Sequence, residues 1–339
     1  MVNSTKVAVT RGLSRRNTTI KALELLDEEI RHDIDSKSSC TILIKPNMVV
    51  TNMPSAATNV ETLSALLEYL RKYESRIGKI IIGEGPADGG STKILAETGF
   101  RNYGYDKLSK EYSVEYLDLN LDGATTTTVY QVDGKEAQVR IANTALNADY
   151  RISVTVPKTH ETVVFSGATK NFVLGSVIWD ETDDKVMVHG FRKRREWDLH
   201  YHKAIGITNK NIARLARLLK PDLSVIDGFG AMEGEGPVDG ETVNLQTVIA
   251  GTNSIAADAV ASSIMGLNPS EIGYLYLADK ENQGTIDLSK IQIVGSELSH
   301  IEKAVKPHPN MQEEMSWKQL LDSDCQQTWY DKGTDQRYT

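Results

Sequence analysis

Two lysines and a histidine follow one apolar run closely enough to serve a single site. Residues 152–156 read Ile-Ser-Val-Thr-Val, Lys158 and His160 come directly after them, and Lys170 lies ten residues beyond the histidine. An imidazole titrates at about pH 6.5 and therefore suits proton transfer at neutral pH. Ammonium groups hold carboxylates and phosphates by charge-assisted hydrogen bonds. The pattern predicts a site that binds a small anion and moves protons.

Further polar residues lie just beyond other apolar runs. Such runs, when four to eight residues long, are typical of buried strands, and an open α/β sheet binds its ligands beyond the carboxyl ends of its strands. Because those ends converge on one edge, we expect one cleft, with these catalytic groups: Lys158, His160, Lys170 and Glu233. The predicted substrate-binding groups are Lys45, Asn47, Glu84, Asn171, Arg192 and Asp227.

Each of these side chains also has a simpler interpretation. A single lysine is most often a solvated surface residue, and His160 could equally be hydrogen-bonded to the backbone of its loop. Glu84, Asp227 and Glu233 could form structural ion pairs with the lysines, act as general bases, or bind a divalent cation through oxygen. The sequence leaves the identity of any metal or cofactor open.

The residue types favour two classes of function. The first is an enzyme that uses acid–base chemistry on a small anionic carboxylate or phosphate metabolite, of the isomerase or lyase type, because lysine, histidine and glutamate suit that chemistry. The second is a non-catalytic protein that binds an anionic ligand or a metal-containing cofactor and serves a partner enzyme. A lysine of depressed pKa would also suit Schiff-base chemistry.

Composition and charge narrow the range of partners. The 339 residues carry a net charge of −8, which argues against general binding to nucleic acid or to an anionic membrane. The two cysteines, Cys40 and Cys325, form no CxxC pair, so we expect no zinc site or iron–sulfur cluster held by the usual thiolates. The start lacks the apolar core of a signal peptide, and no run approaches 18 apolar residues. We therefore expect a cytoplasmic protein whose oligomeric state is open.

The order of the elements predicts the fold class. Strands near 6–10, 41–44 and 79–82 alternate with helices near 17–34 and 60–73, which is typical of an α/β protein with a mostly parallel sheet flanked by helices. Residues 114–141, with the turn Asp133-Gly134, predict an antiparallel extension of that sheet. A further helix is predicted at 209–219.

Two segments have a different character. Residues 179–203 are polar and rich in arginine, tryptophan and histidine, and we predict an excursion loop that is either a lid over the cleft or only a surface loop. Residues 296–339 read as a polar C-terminal tail with a short helix near 315–321 and a loosely held end. The rest, 1–295, reads as an α/β domain that could consist of two lobes, about 1–148 and 149–295.

Several short motifs together resemble a known family. In chain order they are LIKPN (43–47), IGEGP (82–86), VPKTH (156–160), ATKN (168–171) and VIDGFGAMEGEGPVDG (225–240). They are similar to the domain of unknown function 362 family, and the resemblance covers roughly residues 5–295. Many members of that family carry Cys-rich ferredoxin segments, which this sequence lacks. The resemblance therefore implies a fold and recurring motifs, and it implies neither an activity nor an iron–sulfur cluster.

Overall fold

The computed structural model describes residues 5–88, 96–179, 187–189 and 201–318, with backbone alone at 201 and 202. The strands described are β1 (Thr5–Arg11), β2 (Cys40–Pro46), β3 (Ile77–Glu84), β4 (Glu115–Asp118), β5 (Ala124–Tyr130), β6 (Glu136–Ala142), β7 (Tyr150–Thr155), β8 (Lys158–His160), β9 (Val164–Ser166), β10 (Leu223–Asp227), β11 (Ala231–Glu233), β12 (Glu241–Val243), β13 (Thr247–Gly251) and β14 (Ile291–Gly295). The α-helices described are α1 (Arg15–Glu24), α2 (Asp27–Asp35), α3 (Val60–Leu70), α4 (Ala96–Asn102), α5 (Asn143–Asn147), α6 (Ala168–Ser176), α7 (Tyr201–Leu219), α8 (Ser254–Ile264), α9 (Gly273–Lys280) and α10 (Met311–Glu314).

Eight strands form the central sheet, in the order β14-β1-β13-β10-β7-β2-β3-β4. Strand β13 runs antiparallel to both of its neighbours, and the other neighbouring pairs are parallel. A second sheet has the order β12-β11-β8-β9, and β5 pairs with β6 alone. The predicted α/β fold with a mostly parallel sheet is confirmed. The sheet takes strands from both of the predicted lobes, and the division into lobes stays a prediction.

Helices cover both faces of the central sheet because successive strand side chains point to opposite faces. On one face Ile42, Ile44 and Val154 pack with the buried residues of α1, α2 and α3. On the other face Val9 and Ile226 pack with the buried residues of α8 and α9. With both faces buried, ligands reach the sheet at the ends of its strands.

The predicted antiparallel extension takes a different form. Strand β4 joins the central sheet in parallel with β3, whereas β5 and β6 form a separate two-stranded sheet. The apolar side of this hairpin, with Val129 and Val139, packs in the same cluster as Leu215 of α7. A helix therefore covers the hairpin, and the hairpin does not lengthen the central sheet.

Two predicted helices have different bounds. The prediction of one helix at 17–34 is wrong: α1 begins after Ser14, whose hydroxyl accepts the Asn17 N–H at 3.3 Å, and a second helix starts at Asp27. Three acidic residues open α2, which the positive end of a helix dipole favours. Helix α7 starts at Tyr201 rather than Asn209, so the last residues of the predicted excursion are helical.

Most of that excursion, including Arg192, lies outside the described residues. Its role as a lid stays a prediction. The described part of the predicted tail is well packed, because Glu314 is fully buried and Trp317 nearly so. A short helix lies at Met315–Lys318, near the predicted 315–321, and the end predicted to be loosely held lies outside the described residues.

Candidate functional site

A cavity of about 780 Å³ lies beyond the carboxyl ends of β2 and β3, beside α6 and the small sheet of β8 and β9. Its walls come from segments far apart in the sequence, including the loop at 235–239 and the segment at 308–310. Six of the ten predicted site residues line it: Lys45, Asn47, Glu84, His160, Lys170 and Asn171.

Lys158 lies beside this cavity and does not line it. Its side chain is 1% exposed, and its ammonium group donates to the Asn47 Oδ1 and to the Ala56 carbonyl. Burial, with the neighbouring charge of Lys170, holds the pKa of Lys158 well below its usual range. Lys158 therefore fixes the orientation of the Asn47 amide from beneath the site.

Asp227 and Glu233 are the predicted carboxylates that the structure places away from the cavity. Asp227 is fully buried, lies 3.0 Å from the Nε of Arg15 and accepts a hydrogen bond from Thr62. The Glu233 carboxylate accepts the backbone N–H of Lys306 at 2.9 Å. Each carboxylate contacts a segment that is distant in the sequence. Their positions after predicted strands did not indicate these contacts. The roles predicted for them in binding and catalysis are untested.

Lys45 and Glu84 form a buried ion pair at one wall of the cavity. The Lys45 ammonium lies 2.7 Å from the Glu84 carboxylate and donates to Asn171 Oδ1 at 2.9 Å and to the Pro46 carbonyl at 3.0 Å. These contacts engage all three of its N–H groups. Lys45 is therefore held by protein acceptors and is not poised to bind an incoming anion.

Gly175 of α6 allows that ion pair to sit directly against the helix. A Cβ atom at this position would lie 1.9 Å from Cε and 2.2 Å from Nζ of Lys45. Any larger residue would push the pair out of place. The glycine is thus required by close approach, and its φ is not in the left-handed region.

Two asparagines continue the polar network between the lysines. Asn171 Oδ1 accepts from Lys45 and from Asn47 Nδ2, and its own amide donates to the Ser153 hydroxyl at 3.0 Å. Asn47 is fixed further by its backbone N–H, which donates to the Thr58 hydroxyl at 2.8 Å. Shared acceptors of this kind give the wall one rigid arrangement.

Lys170 differs from the other two lysines. It is 9% exposed, lines the cavity, and donates a hydrogen bond to none of the described residues. Burial lowers the pKa of Lys170 to about 8, an effect that Glu161 opposes and Lys45 reinforces. This amine can therefore change its protonation state close to neutral pH.

The buried Asp258 positions the helix that carries Lys170. Its carboxylate accepts the backbone N–H groups of Ala168 at 2.6 Å and Thr169 at 3.0 Å, at the first turn of α6. Burial raises the pKa of Asp258 to about 6. The carboxylate satisfies backbone donors that a helix leaves unpaired at its start.

His160 lines the cavity as a neutral ring. Its Nδ1 accepts the Thr162 backbone N–H at 3.1 Å, so the proton of the neutral ring lies on Nε2. Burial first, and then the charge of Lys170, keeps the pKa of His160 well below its usual range. None of the described residues bonds Nε2, which is therefore free to donate to a ligand.

Two further histidines, His189 and His308, line the cavity and were not among the predicted site residues. The ring of His189 lies 3.1 Å from the Thr208 hydroxyl, and burial lowers the pKa of His189 to about 3. His308 comes from the C-terminal segment, with Nδ1 2.7 Å from the Glu314 carboxyl. His189 belongs to the excursion predicted at 179–203 and His308 follows no apolar run, so the strand-end argument gave a role to neither.

Acidic residues lie at the outer part of the cavity. The exposed carboxylates among its lining are Glu161, Glu235 and Asp239, whereas Lys170 is buried. Within the part of the chain that the structure describes, no three His, Cys, Asp or Glu side chains lie close enough to hold a metal ion. A divalent cation at this site stays a prediction.

Residues 42–263, from β2 to α8, match the family described as "Domain of unknown function (DUF362)". This chain belongs to the DUF362 family. The resemblance seen in the sequence motifs is therefore confirmed. The match ends before the segment that carries His308.

The proteins similar to this chain include the following two. The thylakoid-associated protein sll1697 of Synechocystis sp. (strain ATCC 27184 / PCC 6803 / Kazusa) is 25% identical over 234 residues, which are 68% of this chain and 64% of that protein. The chain thus spans less than two thirds of that relative's length. The lactate racemase apoprotein of Thermoanaerobacterium thermosaccharolyticum superposes with a TM-score of 0.48 at 14% identity, over 78% of this chain and 57% of that one.

None of the helices that the structure describes is long and apolar enough to cross a membrane. The cytoplasmic location stays a prediction.

Proposed function

We propose that this protein is a cytoplasmic enzyme that moves a proton on a small anionic metabolite, as an isomerase or a lyase does. One observation carries the proposal: the buried amine of Lys170 lines the cavity without an acceptor among the described residues, beside a neutral His160. A buried ammonium without a hydrogen-bond acceptor is costly, so a fold tends to retain one where function requires it.

Lys170 is the proposed base. Since burial lowers the pKa of Lys170 to about 8, roughly one amine in ten is neutral at pH 7. A neutral amine can take a proton from a carbon next to a carbonyl group. The ammonium that results lies beside the negative charge left on the substrate and stabilises it.

His160 is the proposed hydrogen-bond donor to the carbonyl oxygen. With Nδ1 occupied by the Thr162 N–H, the Nε2–H is the group that can approach a substrate oxygen. Negative charge grows on that oxygen as the carbon loses its proton, and a fixed donor stabilises it most in the transition state. The low pKa of His160 keeps this donor in the neutral form.

The charge of the substrate follows from the distribution of charge in the cavity. The protonated fraction of Lys170 lacks a hydrogen-bonded anion among the described residues, and a carboxylate or phosphate would supply one. The rim carboxylates Glu161, Glu235 and Asp239 would repel a second anionic group. A volume of about 780 Å³ suits a small metabolite with one anionic end.

Proton exchange in D₂O tests this function without knowledge of the product. The probes are pyruvate, 2-oxobutyrate and dihydroxyacetone phosphate, and one-dimensional proton NMR follows the loss of the C–H signal next to the carbonyl. The wild-type chain should exchange at least one probe above the enzyme-free rate, and Lys170→Met and His160→Gln should each slow it by about 10²-fold or more.

Two results would overturn the proposal. Binding of a probe by calorimetry with no exchange of any probe would indicate the non-catalytic binder instead. A covalent adduct at Lys170, trapped with cyanoborohydride and located by mass spectrometry, would replace simple proton transfer by Schiff-base chemistry.

A further inference from the structure

The segment after β14 forms a wall of the cavity although the family match ends before it. His308, Pro309 and Asn310 line the cavity. Two hydrogen bonds fix the backbone of Lys306. Its N–H donates to the Glu233 carboxylate at 2.9 Å, and its carbonyl accepts the Gly234 N–H at 2.9 Å. The glycine-rich loop that follows β11 therefore holds this segment in place.

The far end of the segment is also fixed. The Trp317 indole donates to the Glu271 carbonyl at 3.0 Å, and Glu314 of α10 is fully buried. The Val305 N–H donates to the Met265 carbonyl at 3.1 Å. Because these contacts hold the chain on both sides of His308, this histidine has a fixed place in the cavity wall.

His308 and Glu314 form a buried pair in close contact. The two side chains approach to 2.7 Å between Nδ1 and Oε1, and Nδ1 also lies 3.2 Å from the Asn310 N–H that points at it. Nδ1 is therefore an acceptor, and the proton between the two groups belongs to Glu314. In agreement, burial raises the pKa of Glu314 to about 8, and it lowers the pKa of His308.

The arrangement leaves the other ring nitrogen for the cavity. With Nδ1 accepting, the neutral ring of His308 carries its proton on Nε2, and none of the described residues bonds that atom. The other charged groups whose fields reach this pair are Glu161, Glu235 and Glu313. His308 is 9% exposed, as Lys170 is.

We propose that His308, backed by Glu314, is a second proton-transfer residue of the same cavity, which returns a proton to the substrate after Lys170 has removed one. This inference rests on the proposed function. His308 would touch the substrate and be catalytic, whereas Glu314 acts through the ring and is a positioning residue.

The protons balance in this step. The Nε2–H bond breaks and its proton joins the carbanion or enolate, while the Glu314 O–H bond breaks and its proton joins Nδ1. The ring stays neutral with its proton moved to Nδ1, the substrate loses one negative charge, and Glu314 gains it. Two distinct groups of this kind allow a proton to leave one atom and return at another, as an isomerase requires.

Kinetic measurements separate the second step from the first. We compare Glu314→Gln and His308→Gln with Glu302→Gln, which makes the same substitution at an exposed position of the same C-terminal segment. On the probe that the wild type exchanges, both test variants should keep the Lys170-dependent C–H exchange within about threefold. Formation of the isomer, in which the proton has returned at a different atom of the probe, should fall by about 10²-fold or more. The control should match the wild type. Equal loss of exchange and product, or no loss of either, would overturn the proposal.

A second measurement needs no turnover. Long-range proton–nitrogen NMR on protein with ¹⁵N-labelled histidine reports the tautomer of His308, assigned with His308→Gln. At pH 7 the proposal expects a neutral ring with its proton on Nε2, whose signal shifts when pyruvate is added. A cationic ring, a proton on Nδ1, or no shift with pyruvate overturns it. If the wild type exchanges no probe, the proposed function fails. The NMR measurement then still shows whether His308 and Glu314 are arranged as described.

Discussion

Replacing Lys170 by methionine should make the protein more stable at neutral pH. Methionine keeps the length and apolar stem of the side chain and removes a buried charge that has no described acceptor. Burial lowers the pKa of Lys170 from 10.5 to about 8, and at about 1.4 kcal/mol per pKa unit this corresponds to a cost of about 3 kcal/mol at pH 7. The variant should regain that amount while it loses activity.

The pH dependence gives the same prediction a sharper form. Between pH 8 and 10.5 the unfolded chain holds a proton on Lys170 that the folded chain has released, so the stability of the wild type rises with pH over this interval. Below pH 8 Lys170 is protonated in both the folded and the unfolded chain, so the full cost of burying its charge applies. The stability gained by Lys170→Met should therefore shrink from about 3 kcal/mol at pH 7 to about 1 kcal/mol at pH 10.

Urea denaturation at pH 7, 8.5 and 10 measures this difference, provided that the m-value is unchanged. The control is Lys79→Met, which removes an exposed lysine that pairs with Glu115 at 2.8 Å and should change stability by less than about 1 kcal/mol at each pH. A variant at Lys170 that is no more stable than the wild type at pH 7, or a gain that does not change with pH, would refute the reasoning.

Three further predictions concern how the wall around Lys170 is held. Gly175→Ala should destabilise the fold by about 1–3 kcal/mol in urea, because a Cβ atom would lie 1.9 Å from Lys45 Cε; Gly134→Asn, at an open position with φ of 79°, should stay near neutral. Lys45→Met alone should cost about 3–5 kcal/mol, and adding Glu84→Leu should recover most of it; a double variant no better than the single one contradicts the buried pair. Asp258→Asn should cost about 1–2 kcal/mol at pH 4, where the wild-type carboxyl is protonated in the fold, and should remove the loss of stability that the raised pKa of Asp258 gives the wild type as the pH rises from about 4 to 6, so an unchanged pH profile would argue against this cap.

The sequence predicted the fold class because the buried strands are short apolar runs separated by helices. Runs such as 41–44 and 79–82 lie inside the central sheet as expected. The prediction misplaced the β5–β6 hairpin. The turn and the alternation of apolar and polar residues specify a hairpin, but they do not specify which element packs against it. Only the packing of Val139 against the cluster that contains Leu215 decides that helix α7 covers it.

The candidate site was predictable where residues follow strands and hidden where they do not. Lys45, His160 and Lys170 reach the cavity by the convergence of strand ends. His308 reaches it through long-range bonds at Lys306, which no local pattern encodes. The sequence also treated the three lysines alike, whereas burial and available acceptors separate Lys170 from Lys45 and Lys158.

A direct titration of the Lys170 amine tests the central claim without a substrate. Protein labelled with ¹³C at the lysine Cε gives one carbon–proton signal for each lysine, and Lys170→Met assigns the signal of interest. The structure predicts that this signal titrates with a midpoint at about pH 8 while those of exposed lysines titrate at about 10.4. A Lys170 signal that titrates with the exposed lysines would contradict the claim that this buried amine is poised for proton transfer.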